Sequence, residues 1–291
     1  MTEDALVLGP EELSKIVVQK ATCPFVGTAV ATGHLPVHNE ATNPLARIED
    51  VRRLGNTGGG DLGEVLAFFA AGNHAWMRGP EGRLDQKAPG GFFSLELPGS
   101  QGSHAGHSGI LEGDPRELDS GRLSLADFER LRGLAVDGFI RRSDVGKFIA
   151  GNLHNDPKSK VFGTSVAKLL AADLGQFVTS AGSELLTRLR GSAGESLHRE
   201  LEEKLTALTG EDNLVGSSGE FGLLFAFLAN SPRTKRWAGE PALSLEDIEW
   251  MFVRKRFPEG CESWRKTRAD WLANTAALML SAAKAYLALR D

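Results

Sequence analysis

The sequence predicts a mainly α fold, arranged as a single multi-helix globular domain over residues 1–291. Three observations predict it. Apolar residues recur at helical spacing, as in Val166, Leu169, Leu170, Leu174 and Phe177. Capping and stop residues bracket the periodic stretches. No convincing run of strands, internal repeat or low-complexity tract interrupts them. At 291 residues the chain is long enough to bury a sizeable core.

The elements follow in order. Residues 11–20 form a short amphipathic helix. Pro24 opens the next, over 24–32, with Phe25, Val26, Ala29 and Val30 along it and Gly33 as the stop. Residues 61–72 start on Asp61 and close at Gly72. Residues 78–110 are rich in Gly, Pro and Ser, a long connection of the kind that often carries function. Ser124 is the N-cap expected for LADFERLRGL. Further helices are expected at 142–152, 163–190, 195–209, 218–229, 244–256 and 263–290. The last is rich in Ala and Leu and suits packing on several sides.

Composition narrows the function classes. The formal net charge is −5 and there is no long basic stripe, which argues against nucleic acid and against an anionic membrane surface. No run of 18 or more apolar residues suggests a membrane span. The start, MTEDALVLGP, is acidic and lacks the pattern of a secretory signal, so a cytoplasmic location is expected. Cys23 and Cys261 are the only cysteines, too few for a disulfide framework.

Several stretches could carry chemistry. Cys23 stands before Pro24 at a helix start, where free N–H groups and the helix dipole favour a thiolate. An inert buried thiol is the plainer reading. Residues 107–128 crowd Glu112, Asp114, Glu117, Asp119 and Asp127 among glycines, which suits a hard cation or a solvated loop. Asp137, Gly138, Ile140 and Asp144 fit positions of a calcium loop, but Gly133 and Ala135 stand where two ligands belong. A helix–turn–helix with an acidic cap explains that stretch as well. Glu220 precedes a strongly apolar helix. It is either a helix-start carboxylate or, facing an apolar pocket, a proton shuttle. The glycines of NTGGGD, 56–61, lack the Lys-Ser/Thr of a phosphate loop and read as a flexible turn. His104 and His107 show no zinc spacing. Phe68, Phe69, Phe92, Phe93 and Phe225 line either a channel or the core.

Taken in order, three patches resemble the haem-thiolate peroxidases and peroxygenases, the chloroperoxidase-like family. CPFVGTAVATGHLP, from Cys23 to Pro36, resembles the family's Cys-Pro helix. HSGILEGD, 107–114, is similar to its Glu-Gly-Asp motif. GEFGLLFAFLANS followed by LSLEDIEWMFVRKRFPEGCESW is similar to its glutamate helix and the Phe/Arg/Pro segment after it.

The resemblance implies an all-α domain enclosing haem b. Cys23 would be the axial thiolate of the iron, favouring O–O cleavage. Glu112 and the carbonyl of Gly113 would hold Mg²⁺, or Ca²⁺ or Mn²⁺, beside a haem propionate. Glu220 would be the distal acid–base. Hydrogen peroxide and a small apolar organic molecule would be the substrates, and hydroxylation, epoxidation or halogenation in a tailoring reaction the outcome. The chain departs from the family in three respects. Arg116 stands where a serine completes the cation site, with Ser120 or Ser124 as substitutes. Asn213 and Gly113 stand where an arginine or a histidine assists the glutamate. Cys261 replaces an aromatic after Pro-Glu-Gly. Two other classes remain open. One is a helical calcium-binding or interaction module without haem. The other is a cysteine-dependent enzyme with His34 or His38 as base. Nothing in the sequence addresses the oligomeric state.

Overall fold

The structure is a computed structural model. It describes residues 5–19, 23–40, 43–73, 76–77, 91–95, 124–156, 159–163, 166–167, 203, 205, 208, 212–237 and 239–290. Among these residues the chain is mainly helical. The helices are α1 (Pro10–Gln19), α2 (Pro24–Ala31), α3 (Ile48–Gly55), α4 (Gly63–Asn73), α5 (Leu125–Gly133), α6 (Arg142–Asn155), α7 (Asn213–Leu228), α8 (Leu245–Phe252) and α9 (Arg268–Ala288).

Several ends fall where local chemistry sets them. The Ser124 hydroxyl accepts the Asp127 N–H at 3.1 Å and starts α5. Thr267 does the same for Asp270 at 3.0 Å, so α9 begins at Arg268 and not at 263. Gly33 takes φ +73° and ends the α2 region as its sequence suggests. Of the helices expected at 163–190 and 195–209, only 163, 166, 167, 203, 205 and 208 are described; Gly163 is not helical and the others are.

The core is a helical stack of α7, α9 and α6. Their backbones approach closely because small residues sit at the crossings. A Cβ on Gly222 would overlap the Thr275 hydroxyl, and one on Gly146 would overlap Ser281. Trp271 donates its indole N–H to the Gly219 carbonyl at 3.0 Å. The buried apolar side chains, from Ile16 in α1 to Ala283 in α9, join in one cluster.

The expectation of no strands is corrected. Two small antiparallel sheets are present. Strands β1 (His38–Glu40), β2 (Asn43–Arg47), β3 (Trp76–Met77) and β4 (Phe92–Ser94) pair in the order β1-β2-β4-β3. Strands β5 (Phe139–Arg141), β6 (Lys235–Trp237) and β7 (Glu240–Ser244) pair as β5-β7-β6. Each strand has two to five residues, too short for a period-2 pattern to show. No helix among the described residues is long and apolar enough to cross a membrane.

Candidate functional site

Cys23 is the N-cap of α2, extended at φ −60° and ψ 124°, with Pro24 as first helical residue. Its side chain makes no full capping hydrogen bond. The residue keeps some exposed surface, but its sulfur is desolvated, and burial pushes the thiol up to about 11. The N–H groups of Val26 and Phe25 and the charge of Lys255 pull toward the thiolate. Glu220 pushes the other way. Burial wins. Of the two sequence readings, burial favours the plainer one in the absence of a bound cation, a protonated thiol. A metal ion at the sulfur would displace that proton.

The helix that carries Glu220 starts earlier than its sequence suggests, at Asn213 rather than 218. Asp212 caps it, accepting from Leu214 N–H at 2.9 Å and Val215 N–H at 3.4 Å, and also from Gly163 N–H at 3.1 Å. Glu220 therefore lies mid-helix, and the helix-dipole explanation falls away, since that effect fades within the first turn. Every residue of α7 is buried except Glu220. One carboxylate alone keeps accessible surface on an otherwise sealed apolar helix, and its charge is felt at Cys23.

Aromatic packing brings the two elements together. The Phe25 ring, two residues from Cys23, meets Phe227 of α7 edge-on at 5.2 Å and Phe257 at 5.6 Å. Phe227 lies seven residues beyond Glu220, about 10 Å along the axis at the usual helical rise. The Thr28 hydroxyl donates to the Met251 carbonyl at 2.5 Å and anchors α2 to α8. Asn213, at the place of the family's helper, has its carboxamide oxygen committed to the Lys160 N–H at 2.8 Å.

The other candidates fare differently. Glu112, Gly113, Arg116 and Ser120 lie outside the described residues, as do His104 and His107. Ser124 caps α5. In the calcium-like stretch, Asp137 and Gly138 take φ +51° and +77° and form a two-residue hairpin turn between Val136 and Phe139. Asp144 is tied to the Arg141 guanidinium at 2.8 and 2.9 Å. The stretch is a helix, a turn, a short strand and a helix, not a helix–turn–helix. Among the described residues no three His, Cys, Asp or Glu side chains gather as a site for a bare metal ion.

Two of the glycines of NTGGGD serve close packing, and Gly59 takes a left-handed φ of +72°. A Cβ on Gly58 would overlap the Trp264 carbonyl, and one on Gly60 the Lys266 carbonyl. His34 contacts the Thr32 hydroxyl at 2.8 Å and Glu262 at 2.9 Å, and His38 packs edge-on against Phe92 at 5.3 Å. Both rings thus have neighbours other than Cys23. Phe69, Phe93 and Phe225 are core residues, while Phe68 and Phe92 retain exposure.

Sequence reasoning missed two lysines. Lys255 is half-buried beside Cys23, and desolvation lowers its pKa. Lys266 is fully buried and donates to the Thr57 hydroxyl at 2.8 Å and to the carbonyls of Cys261 at 2.5 Å and Trp264 at 3.1 Å. Cys261 is buried there too, its thiol raised to about 12, chiefly by burial. Lysines read as surface residues by type, so only the fold exposes these roles.

No family model, no curated protein and no solved structure matches the chain. The family resemblance therefore rests on its residues and their order.

Proposed function

We propose that this chain is a haem-thiolate peroxygenase or peroxidase that uses hydrogen peroxide to oxidise a small apolar organic substrate. The observation that supports it most is the placement of Glu220: the one residue of α7 that keeps accessible surface is a carboxylate within electrostatic range of Cys23. The donor chemistry fits the cofactor. A single sulfur at a helix start, with the N–H groups of Val26 and Phe25 acting on it, suits one bond to iron. A bare-ion cage would need more ligands.

Haem b, when bound, supplies peroxide activation and transfer of oxygen to the substrate. The chain supplies the rest. Cys23 would hold the iron through its sulfur, as a thiolate. The N–H groups of Phe25 and Val26 would spread that sulfur's charge. Glu220 would take a proton from one peroxide oxygen and return it to the oxygen that leaves as water. Glu112, Gly113 and Ser120 would hold a Mg²⁺-class cation near a propionate. The apolar surroundings favour an apolar substrate over a charged one.

Glu220→Gln tests the proton role. The variant keeps its shape and binds haem as the parent does. Peroxide-dependent oxidation of a small apolar alkene should fall about 10²- to 10⁴-fold, the usual worth of a positioned acid–base. Unchanged turnover in Glu220→Gln would remove Glu220 from the chemistry.

A further inference from the structure

A groove of about 670 Å³ opens between the end of α2 and the segment after α8. Its volume lies within the range of small-molecule sites, roughly 300–1,000 Å³. Neither Cys23 nor Glu220 lines it. Arg254, Lys255 and Arg256 form one wall, and buried Phe257 and Pro258 lie against it.

The charges on the rim do not balance. Arg254 is answered by Glu249 at 3.0 Å. Glu262 is answered by His34 at 2.9 Å, and its own backbone N–H and that ring hold its carboxyl below the usual range. Glu259 stands on the far rim. Lys255 and Arg256 have no carboxylate partner among the described residues.

Lys255 is also held in an uncommon backbone state. Its φ is +51°, where glycine is the easy choice, and a side chain there costs about 1–2 kcal/mol. Its two neighbours fix the turn: Arg254 N–H reaches Glu249 at 3.1 Å and Arg256 N–H reaches Trp250 at 2.9 Å. A glycine would close α8 with less strain. A lysine there keeps a half-buried ammonium on the groove wall, and strain of this kind gathers at functional sites. Phe257 is held rigid by rings on two sides, at 5.6 Å from Phe25 and 5.4 Å from Phe227.

We propose that this groove binds a small organic carboxylate, with its anionic end on Lys255 and Arg256 and its apolar body against Phe257 and Pro258. The apolar wall and Glu259 disfavour a compact, multiply charged anion such as phosphate. The groove shares Lys255 with the surroundings of Cys23, but carboxylate binding there needs no haem.

Calorimetric titration of the full chain, haem-free and haem-loaded, tests this with three probes: benzoate, neutral benzamide and inorganic phosphate. Benzoate should bind one to one in both forms. Benzamide and phosphate should bind at least about tenfold more weakly, a difference of ~1.4 kcal/mol. Arg256→Ala and Lys255→Gly should each weaken benzoate by about tenfold or more. Lys255→Gly should melt no lower than the parent, because glycine accepts the left-handed turn, so its loss of binding reports the cation and not the fold. Equal binding of benzamide or phosphate, parental benzoate affinity in both variants, absence of binding, or benzoate binding only to haem-loaded protein would each overturn the proposal.

Discussion

Cys23 and Glu220 show how far a residue type can be read without its surroundings. The Cys-Pro pair and the glutamate stand out in the sequence as candidates. Their environments do not. A helix start favours a thiolate, but burial outweighs the backbone N–H groups and the thiol is raised to about 11. The sign is plain: a raised thiol pKa keeps the proton on, so the nucleophile is scarce below that value. In haem-free protein, iodoacetamide should alkylate Cys23 at pH 8 far more slowly than a free cysteine, with a rate climbing as pH approaches 11. Peptide mapping after alkylation of the Cys261→Ala variant isolates the signal. Fast labelling at pH 8 would mean that the sulfur is solvated and not desolvated.

At the scale of elements, most helices are legible in the sequence, while α3 and the strands are not. Periodicity and caps mark α2, α5 and α6 because their apolar faces repeat over two turns or more. The end of α8 was overrun to 256. Nothing in Val253–Lys255 announces a stop, and the chain turns there through a left-handed lysine rather than a glycine. The start of α7 was missed by five residues because Asn213, Ser217 and Ser218 look like a polar turn. All three are buried, Asn213 against the Lys160 N–H, on a helix that packs on α9 and α6. Packing overrides propensity there, and the smallest residue shows it most. Gly222→Val should destabilise by about 1–3 kcal/mol, since the added atoms meet Thr275 across the helix crossing. Urea denaturation followed by circular dichroism measures it. Parental stability would mean that α7 and α9 can separate freely at that point.

For the whole molecule, the mainly α class was readable from pattern, while the ties that join distant segments were not. Lys266 is the clearest tie. It holds the turn at Thr57, the turn at Cys261 and the face of Phe227, whose ring centroid lies 4.9 Å from its ammonium. Lys266→Ala leaves buried carbonyls without a donor and opens a cavity, and should cost about 2–4 kcal/mol. Lys266→Met keeps the volume and should cost less. Equal thermal midpoints for Lys266→Ala and the parent would show that the tie carries no stability. The same fold brings Cys23 within range of Glu220, although 197 positions separate them in sequence (220 − 23). Nothing local announces that pairing; only the order of the three family-like patches hinted at it.

The central proposal is that Cys23 ligates a haem iron, with Glu220 as its acid–base. The direct measurement is the absorption spectrum of protein produced with ample haem precursor, as isolated and after reduction under carbon monoxide. A strongly red-shifted Soret band in the carbon monoxide complex, lost in Cys23→Ala and kept in Cys261→Ala, is the predicted result. Absence of any Soret band, or a band indifferent to Cys23→Ala, would contradict it.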